Sequence, residues 1–364
     1  MTTINEIFTT YGAEYIRRFG DHMPRRHLKV INAITTCRTS ACGLVIYECT
    51  RCGTSYKRYR SCGNRHCPTC QNHKTRQWLN KQMMQRLPGH HFMITFTVPQ
   101  HLRRFIRSNP KQGYSAMFTA SSETLKAVAA NERFIGADLP GFFGVLHTWG
   151  RHLQYHPHIH YIVPGGAVSK SNGTWHPSPL SFFAPVRVMS TIFKAKLRDE
   201  FTRIGLLHDI DPHVWQQNFI VNCQAVGNCQ ESIQYLAGYV FKVAISHSRI
   251  IKVEDGKVWF RYQKPRSNRW RTMALDTMEF IRRFLQHVLP TGFMKVRYYG
   301  FMSPASSVDL DIVRSLIELA YGFEVDLAEL DQHDDVYPRC PDCGGQLVVR
   351  CWIHALIARI AEYG

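Results

Sequence analysis

The chain has 364 residues, and its 45 Lys and Arg against 27 Asp and Glu leave a net charge of +18. That excess points to a polyanion as partner, nucleic acid ahead of an anionic membrane surface, and the length allows two or three domains. No apolar run reaches the roughly 18 residues of a membrane span, and residues 1–10 lack a signal-peptide pattern; a membrane or secreted protein is not expected, and the 12 cysteines read as reduced thiols or metal ligands of a cytoplasmic protein.

Residues 1–36 carry Phe8, Tyr11, Tyr15 and Phe19 at helical spacing, which predicts helix with most of these rings in a core. A cysteine-rich block follows. Cys49-Thr-Arg-Cys52-Gly and Cys67-Pro-Thr-Cys70 are two Cys-x-x-Cys knuckles about one hairpin apart, the spacing of a tetrahedral zinc site, so Cys49, Cys52, Cys67 and Cys70 are the expected ligands. His27, Cys37, Cys62 and His66 remain for a second zinc, with Cys42 able to replace any of them; a domain with so little apolar sequence gains from a second cross-link. From Cys49 to Ser122 there is no acidic residue. Within that window Lys57, Arg58, Tyr59, Arg60 and Arg65 interleave basic and aromatic side chains, suited to stacking on unpaired bases while neutralising phosphates.

The run His91 to Val98, closed by Pro99, predicts a buried strand that opens a second domain, and an Ala, Ser and Thr-rich tract, about 114–133, predicts a helix. Residues 142–149 form the next strand. It leads through Arg151 and His152 into Tyr155-His-Pro-His-Ile-His-Tyr-Ile-Val-Pro164-Gly-Gly, a strand ending in a turn. Alternation puts His158 and His160 on one face with Ile159 turned the other way, so the pair can hold one metal ion. His147, one strand away, and His156, on the same face by parity, are candidates for the third ligand, with His152 a loop alternative.

A basic amphipathic helix is expected over 188–207, a short strand over 219–223, and then a helix bearing Tyr235 and Tyr239. Four residues apart, these tyrosines share a helix face, and Lys242 follows on the same side. Residues 250–262 read as a hairpin turning at Asp255-Gly256; Arg261, Lys264, Arg266, Arg269, Trp270 and Arg271 make a second basic and aromatic strip. A helix over 275–288 and a strand over 295–302 close the domain. From Asp309 to Val336 nine acidic residues stand against one arginine, which makes that stretch unsuited to lie on DNA. Cys340-Pro-Asp-Cys343-Gly-Gly is half a zinc ribbon that Cys351 and His354 could complete as a third site.

Together these residues resemble the HUH endonuclease superfamily, and within it the two-tyrosine rolling-circle insertion-sequence transposases of the IS91 family, over nearly the full length. Ser61 to Gln71 is similar to the family's zinc-binding signature, Phe92 to Pro99 to its first core strand, His147-Thr-Trp-Gly with His156 to His160 to its metal motif, and Tyr235 to Ser246 to its tyrosine helix; Phe284 to Pro290 and Arg297 to Phe301 are similar too. The resemblance implies an α+β fold, a central antiparallel sheet flanked by helices as in ferredoxin-like or RRM-like nuclease cores, preceded by a small helical zinc-binding domain. The expected order is residues 1–88 for that domain, 89–302 for the nuclease, and 303–364 for an acidic segment with a possible zinc knuckle.

The resemblance further implies Mg²⁺ or Mn²⁺ as the catalytic cation and attack by tyrosine to leave a 5′-phosphotyrosine and a free 3′-hydroxyl, with Lys242 expected near the phosphate or the phenolate as a charge stabiliser. It implies single-stranded DNA at element ends and target as substrate, a bacterial, nucleoid-associated location, and strand separation borrowed from host replication proteins or a helicase, since no Gly-x-x-x-x-Gly-Lys-Ser/Thr loop occurs. A plasmid replication initiator or relaxase shares the chemistry, and a non-catalytic zinc DNA-binding protein is the reading from another class.

Overall fold

The computed structural model describes residues 2–240, 244–263, 267, 269–322 and 338–354, Tyr239 by its backbone only. In chain order run α1 (Ile4–Phe19), α2 (Arg25–Thr35), β1 (Leu44–Cys49), β2 (Ser55–Tyr59), α3 (Asn72–Met84), β3 (His91–Thr97), α4 (Gln100–Ser108), α5 (Pro110–Ala130), β4 (Phe142–Trp149), β5 (Tyr155–Pro164), β6 (Gly166–Ser169), β7 (Thr174–Pro177), α6 (Val186–Arg203), β8 (Ile220–Ala225), α7 (Gln230–Val240), β9 (Ile250–Glu254), β10 (Lys257–Gln263), β11 (Trp270–Asp276), α8 (Thr277–Leu285), β12 (Val296–Tyr299), α9 (Leu310–Tyr321) and β13 (Leu347–Ile353). The class is α+β.

The chain divides into two compact units, one of Met1–Lys74, Phe241–Val288 and Glu329–Gly364, the other of Thr75–Val240 and Leu289–Ala328. The fold thus draws its boundaries differently from three consecutive segments at 1–88, 89–302 and 303–364. The reason lies in pairing between distant segments: β13 adds to β1, and Phe8 of α1 packs edge-on against Phe284 of α8 with centroids 5.0 Å apart.

The second unit is built on a five-stranded antiparallel sheet in the order β12-β4-β5-β3-β8. Every residue of β4 except Trp149 is buried, as expected of a central strand covered on both faces. Phe92, Ile94 and Phe96 of β3 and Ile159, Tyr161 and Val163 of β5 alternate onto one face, where Met117 and Phe118 of α5 and Phe193 and Leu197 of α6 meet them. Phe96 stacks edge-on against Phe193 at 5.0 Å, and Ser121 and Tyr161 share a hydroxyl hydrogen bond of 2.7 Å. Each such buried ring contributes on the order of 2 kcal/mol of transfer free energy. The other face of the same strands carries the histidines.

In the first unit α1 starts at a capping box, Thr3 accepting from the Glu6 amide while Glu6 accepts from the Thr3 amide. Its two sheets are ordered β13-β1-β2 and β11-β10-β9. The Asp255-Gly256 turn has positive φ at both residues, 51° and 68°, the conformation a tight two-residue hairpin needs and Asp-Gly supplies. The expected helix over 275–288 begins only at Thr277, because 270–276 pairs with β10 as a third strand.

Candidate active site

His147, His158 and His160 bring one ring nitrogen each to within 4.8 Å of one another. β5 presents His158 and His160 on one face, centroids 4.8 Å apart, and antiparallel pairing sets His147 of β4 directly opposite His158. His147 lies 4.7 Å from His160 and 5.4 Å from His158, centroid to centroid. Of the candidates for a third position the structure brings His147 into the group. His156 stays 5.1 Å from His158 at the edge, because it lies beyond the irregularity in pairing between His147 and Trp149, where Tyr155 is already opposite Trp149. His152 sits in the turn between β4 and β5.

Hydrogen bonds set the rings. His158 Nδ1 donates to the His156 carbonyl at 2.7 Å, which leaves Nε2 as the lone-pair nitrogen. His160 Nδ1 lies 2.8 Å from the Thr95 hydroxyl, and its Nε2, out of solvent reach, has no hydrogen-bond partner among the described residues. Burial holds His158 down at about 4 and His156 at about 3, and burial and neighbouring charge push His147 and His160 well below the ordinary imidazole value. The rings are therefore neutral near pH 7, the form that ligates a cation. A buried acceptor nitrogen aimed among two others fits a bound divalent ion.

Four residues not expected as site residues surround this group. Thr95 is the cross-strand neighbour of His160; Trp149 stacks on His147 at 4.7 Å and 19°, and the buried Lys295 places Nζ 4.7 Å from the Trp149 ring. Arg103 of α4 is close enough to disfavour the charged forms of His156 and His158, and its Nε is buried with no hydrogen-bond partner among the described residues.

α7 carries the tyrosines. Ile233, Leu236, Ala237 and Val240 are buried at the i, i+3, i+4, i+7 spacing of a packed helix face. Tyr235 is half exposed, with its ring 6.3 Å from that of His160 and 6.5 Å from that of His147. Tyr239 follows one turn later in α7; Lys242 lies outside the described residues.

The cysteines sort differently from the expected sets. Cys37, Cys62, Cys67 and Cys70 form one group and Cys49, Cys52, Cys340 and Cys343 another, the sulfurs of each within 4.8 Å of one another. A tetrahedron of sulfurs about 2.3 Å from a zinc ion has edges of about 3.8 Å, and Cys62 and Cys70 stand 3.7 Å apart. Cys49 and Cys52 do not join Cys67 and Cys70 because they lie at the turn of the β1–β2 hairpin, whereas Cys37 and Cys62 adjoin its open end, where Arg38 donates to the Arg60 carbonyl and Arg60 to that of Gly43. Six strand residues at about 3.3 Å each keep the two ends roughly 16 Å apart. His27 and His66 lie outside the first group, Cys351 and His354 outside the second; Cys351 is exposed on β13 opposite Ile46, and Cys42 instead meets the Thr36 carbonyl.

Lys57, Arg58 and Tyr59 on β2 and the following Arg60 are exposed, and Arg60 lies over the ring of Trp352, 5.0 Å from its centroid. Arg65 is partly buried, which lowers its pKa. Trp270 is 57% exposed with Arg261 6.0 Å from its centroid, and Arg269 is exposed beside it. Arg266 lies outside the described residues. No helix among the described residues is long and apolar enough to cross a membrane.

Comparison with known proteins adds two family models: one described as "Transposase zinc-binding domain" matches residues 7–98, and one described as "Putative transposase" matches residues 141–308. The chain is 35% identical over 319 residues, 82% of its length and 80% of the relative's, to "Putative transposase y4qJ" of Sinorhizobium fredii. It is 26% identical over 296 residues, 76% of its length and 70% of the relative's, to "Transposase for insertion sequence element IS801" of Pseudomonas savastanoi pv. phaseolicola. No solved structure matches it.

Proposed function

The chain belongs to the insertion-sequence transposases of the IS91 family, and from that premise we propose that it cuts and rejoins single strands of DNA through tyrosine, with Tyr235 as a nucleophile. The observation that carries this reading is the position of Tyr235, half exposed on α7 with its ring 6.3 Å and 6.5 Å from two members of the histidine group. A phosphate held between them would be the shared substrate group.

In the proposed step the Tyr235 hydroxyl oxygen bonds to phosphorus, the bond from phosphorus to the 3′ oxygen breaks, the phenolic proton passes to solvent and the departing oxygen takes one up. The products are a 5′-phosphotyrosine and a free 3′-hydroxyl. Attack by a 3′-hydroxyl of another strand reverses the exchange and joins the strands, one phosphodiester being traded for another, so no nucleotide is consumed. His147, His158 and His160 would hold Mg²⁺ or Mn²⁺, which when bound supplies positive charge against the scissile phosphate. Arg103, whose charge acts on His156 and His158, would take a neighbouring phosphate oxygen, and Trp149 with Lys295 would hold the ring of His147. Tyr239 gives a second nucleophile one turn along, for the other element end, and Lys242 follows it.

Lys57, Arg58, Tyr59, Arg60, Arg65, Arg269 and Trp270, with Arg266, would grip the unpaired strand by charge and stacking. Host replication proteins would separate the strands in the cytoplasm, at the nucleoid. Incubation with labelled single-stranded oligonucleotides carrying the element's ends and Mn²⁺ tests the reading. A covalent adduct is expected from the wild type and none from the double variant Tyr235→Phe, Tyr239→Phe; an adduct that survives in the double variant overturns the mechanism.

A further inference from the structure

The cysteine group at the β1–β2 turn joins residues from opposite ends of the chain. Cys49 Sγ stands 3.4 Å from Cys343 Sγ and Cys52 Sγ 3.7 Å from Cys340 Sγ. These separations are far above the roughly 2.04 Å of a disulfide and close to the edge of a zinc–thiolate tetrahedron, about 3.8 Å.

The two knuckles are built alike. Each is Cys-x-x-Cys-Gly, with the glycine at φ +72° in both Gly53 and Gly344, a left-handed turn that glycine enters without strain. In each the glycine amide donates to the first cysteine's carbonyl, Gly53 to Cys49 at 3.0 Å and Gly344 to Cys340 at 2.9 Å. The amides of Arg51 and Cys52 point at Cys49 Sγ from 3.4 and 3.5 Å, donors that suit a thiolate. Gly345 closes over the sulfurs: a Cβ there would stand 2.9 Å from Cys49 Sγ.

Apolar burial is too small to hold this assembly. Among the described residues the buried members of its cluster are Cys49, Cys340 and Leu347, yet β13 pairs with β1 from Leu347 opposite Cys49 to Ile353 opposite Leu44. A strand docked on so little core needs another cross-link. Arg51, donating to the Cys343 carbonyl at 3.2 Å, brings positive charge to offset four thiolates around a divalent ion.

We propose that Cys49, Cys52, Cys340 and Cys343 bind a zinc ion of their own, separate from the Cys37, Cys62, Cys67 and Cys70 group, and that this ion fastens the C-terminal knuckle and β13 to the N-terminal sheet. Half of its ligands lie outside both family models, which end at residues 98 and 308.

Zinc content of the full-length chain, measured by elemental mass spectrometry, tests it independently of any DNA cleavage. The double variant Cys340→Ser, Cys343→Ser should carry one zinc fewer per chain than the wild type, and Cys351→Ser the same number as the wild type. An unchanged count in the double variant overturns the proposal. If the double variant does not fold, alkylation of the wild type by N-ethylmaleimide decides. Cys49, Cys52, Cys340 and Cys343 should be protected in the zinc-loaded protein while Cys351 reacts, and should become reactive together on chelation. Reaction of Cys340 and Cys343 as fast as Cys351 before chelation also overturns it.

Discussion

Thr95 and His160 face each other across β3 and β5, the threonine hydroxyl 2.8 Å from the imidazole Nδ1. The contact fixes the ring so that the opposite nitrogen is presented to His147 and His158. Thr95→Val keeps the shape and removes the hydroxyl, so Mn²⁺ affinity should fall about 10- to 100-fold. Thr95→Ser should restore it. Calorimetric titration measures both; equal affinity in the valine variant would mean that packing alone aligns His160.

Gly144 and Tyr161 are cross-strand neighbours, and a Cβ at 144 would run into the tyrosine ring. Gly144→Ala should therefore destabilise the second unit by about 1–3 kcal/mol, the usual cost of overpacking. Urea denaturation followed by tryptophan fluorescence reads the change. A loss under about 0.5 kcal/mol, as at an ordinary surface site, would show that Tyr161 swings aside freely.

His91 is buried at the start of β3, its Nδ1 has no hydrogen-bond partner among the described residues, and burial lowers its pKa from 6.5 to about 4. Because the folded value lies below the unfolded one, the unfolded chain takes up the proton first as pH drops. Stability is thus complete above pH 6.5 and is lost as pH falls toward about 4, by at most about 1.4 kcal/mol per pH unit from this group. The stability of the wild type minus that of His91→Leu should fall at that rate as pH drops across the window, as read from denaturation curves at each pH. A constant gap would mean that His91 titrates alike in both states.

Trp270 is 57% exposed and Arg261 lies over its ring. Trp270→Ala should cost about 1–3 kcal/mol of single-strand affinity if one base stacks there, with the salt dependence unchanged. Arg58→Ala should instead lower the slope of log affinity against log salt by about 0.7 for each phosphate it no longer neutralises. Fluorescence anisotropy at several salt concentrations separates the two. Matching behaviour of both variants would deny the division into stacking and charge.

Much of this arrangement is legible in the residues alone. Alternation along Tyr155 to Pro164 determines that His158 and His160 share a face, and an adjacent apolar strand brings His147 near. Parity alone cannot separate His147 from His156, since the choice depends on a local shift in pairing between β4 and β5. The division of the cysteines is hidden for another reason: the knuckles at 49, 67 and 340 have one spacing, and which pairs meet is decided by the length of a hairpin and by where β13 docks. Thr95 and Lys295 are not marked as site residues by the sequence, because their roles come from cross-strand and ring contacts. The strand at Trp270 to Asp276 is obscured in the sequence by Arg271 and a largely solvated run of residues.

The pairing of β13 with β1 also sets a schedule for biosynthesis. Cys49 and Cys343 are 294 positions apart, and a ribosome adding about 5–20 residues per second needs roughly 15–60 s between them. For that interval the nascent N-terminal sheet has an open edge and two thiols waiting for their partners, and it is closed only when residue 353 has emerged. A chain cut short by a premature stop before β13 would never complete the sheet, and Arg60 would lack the Trp352 ring it lies over.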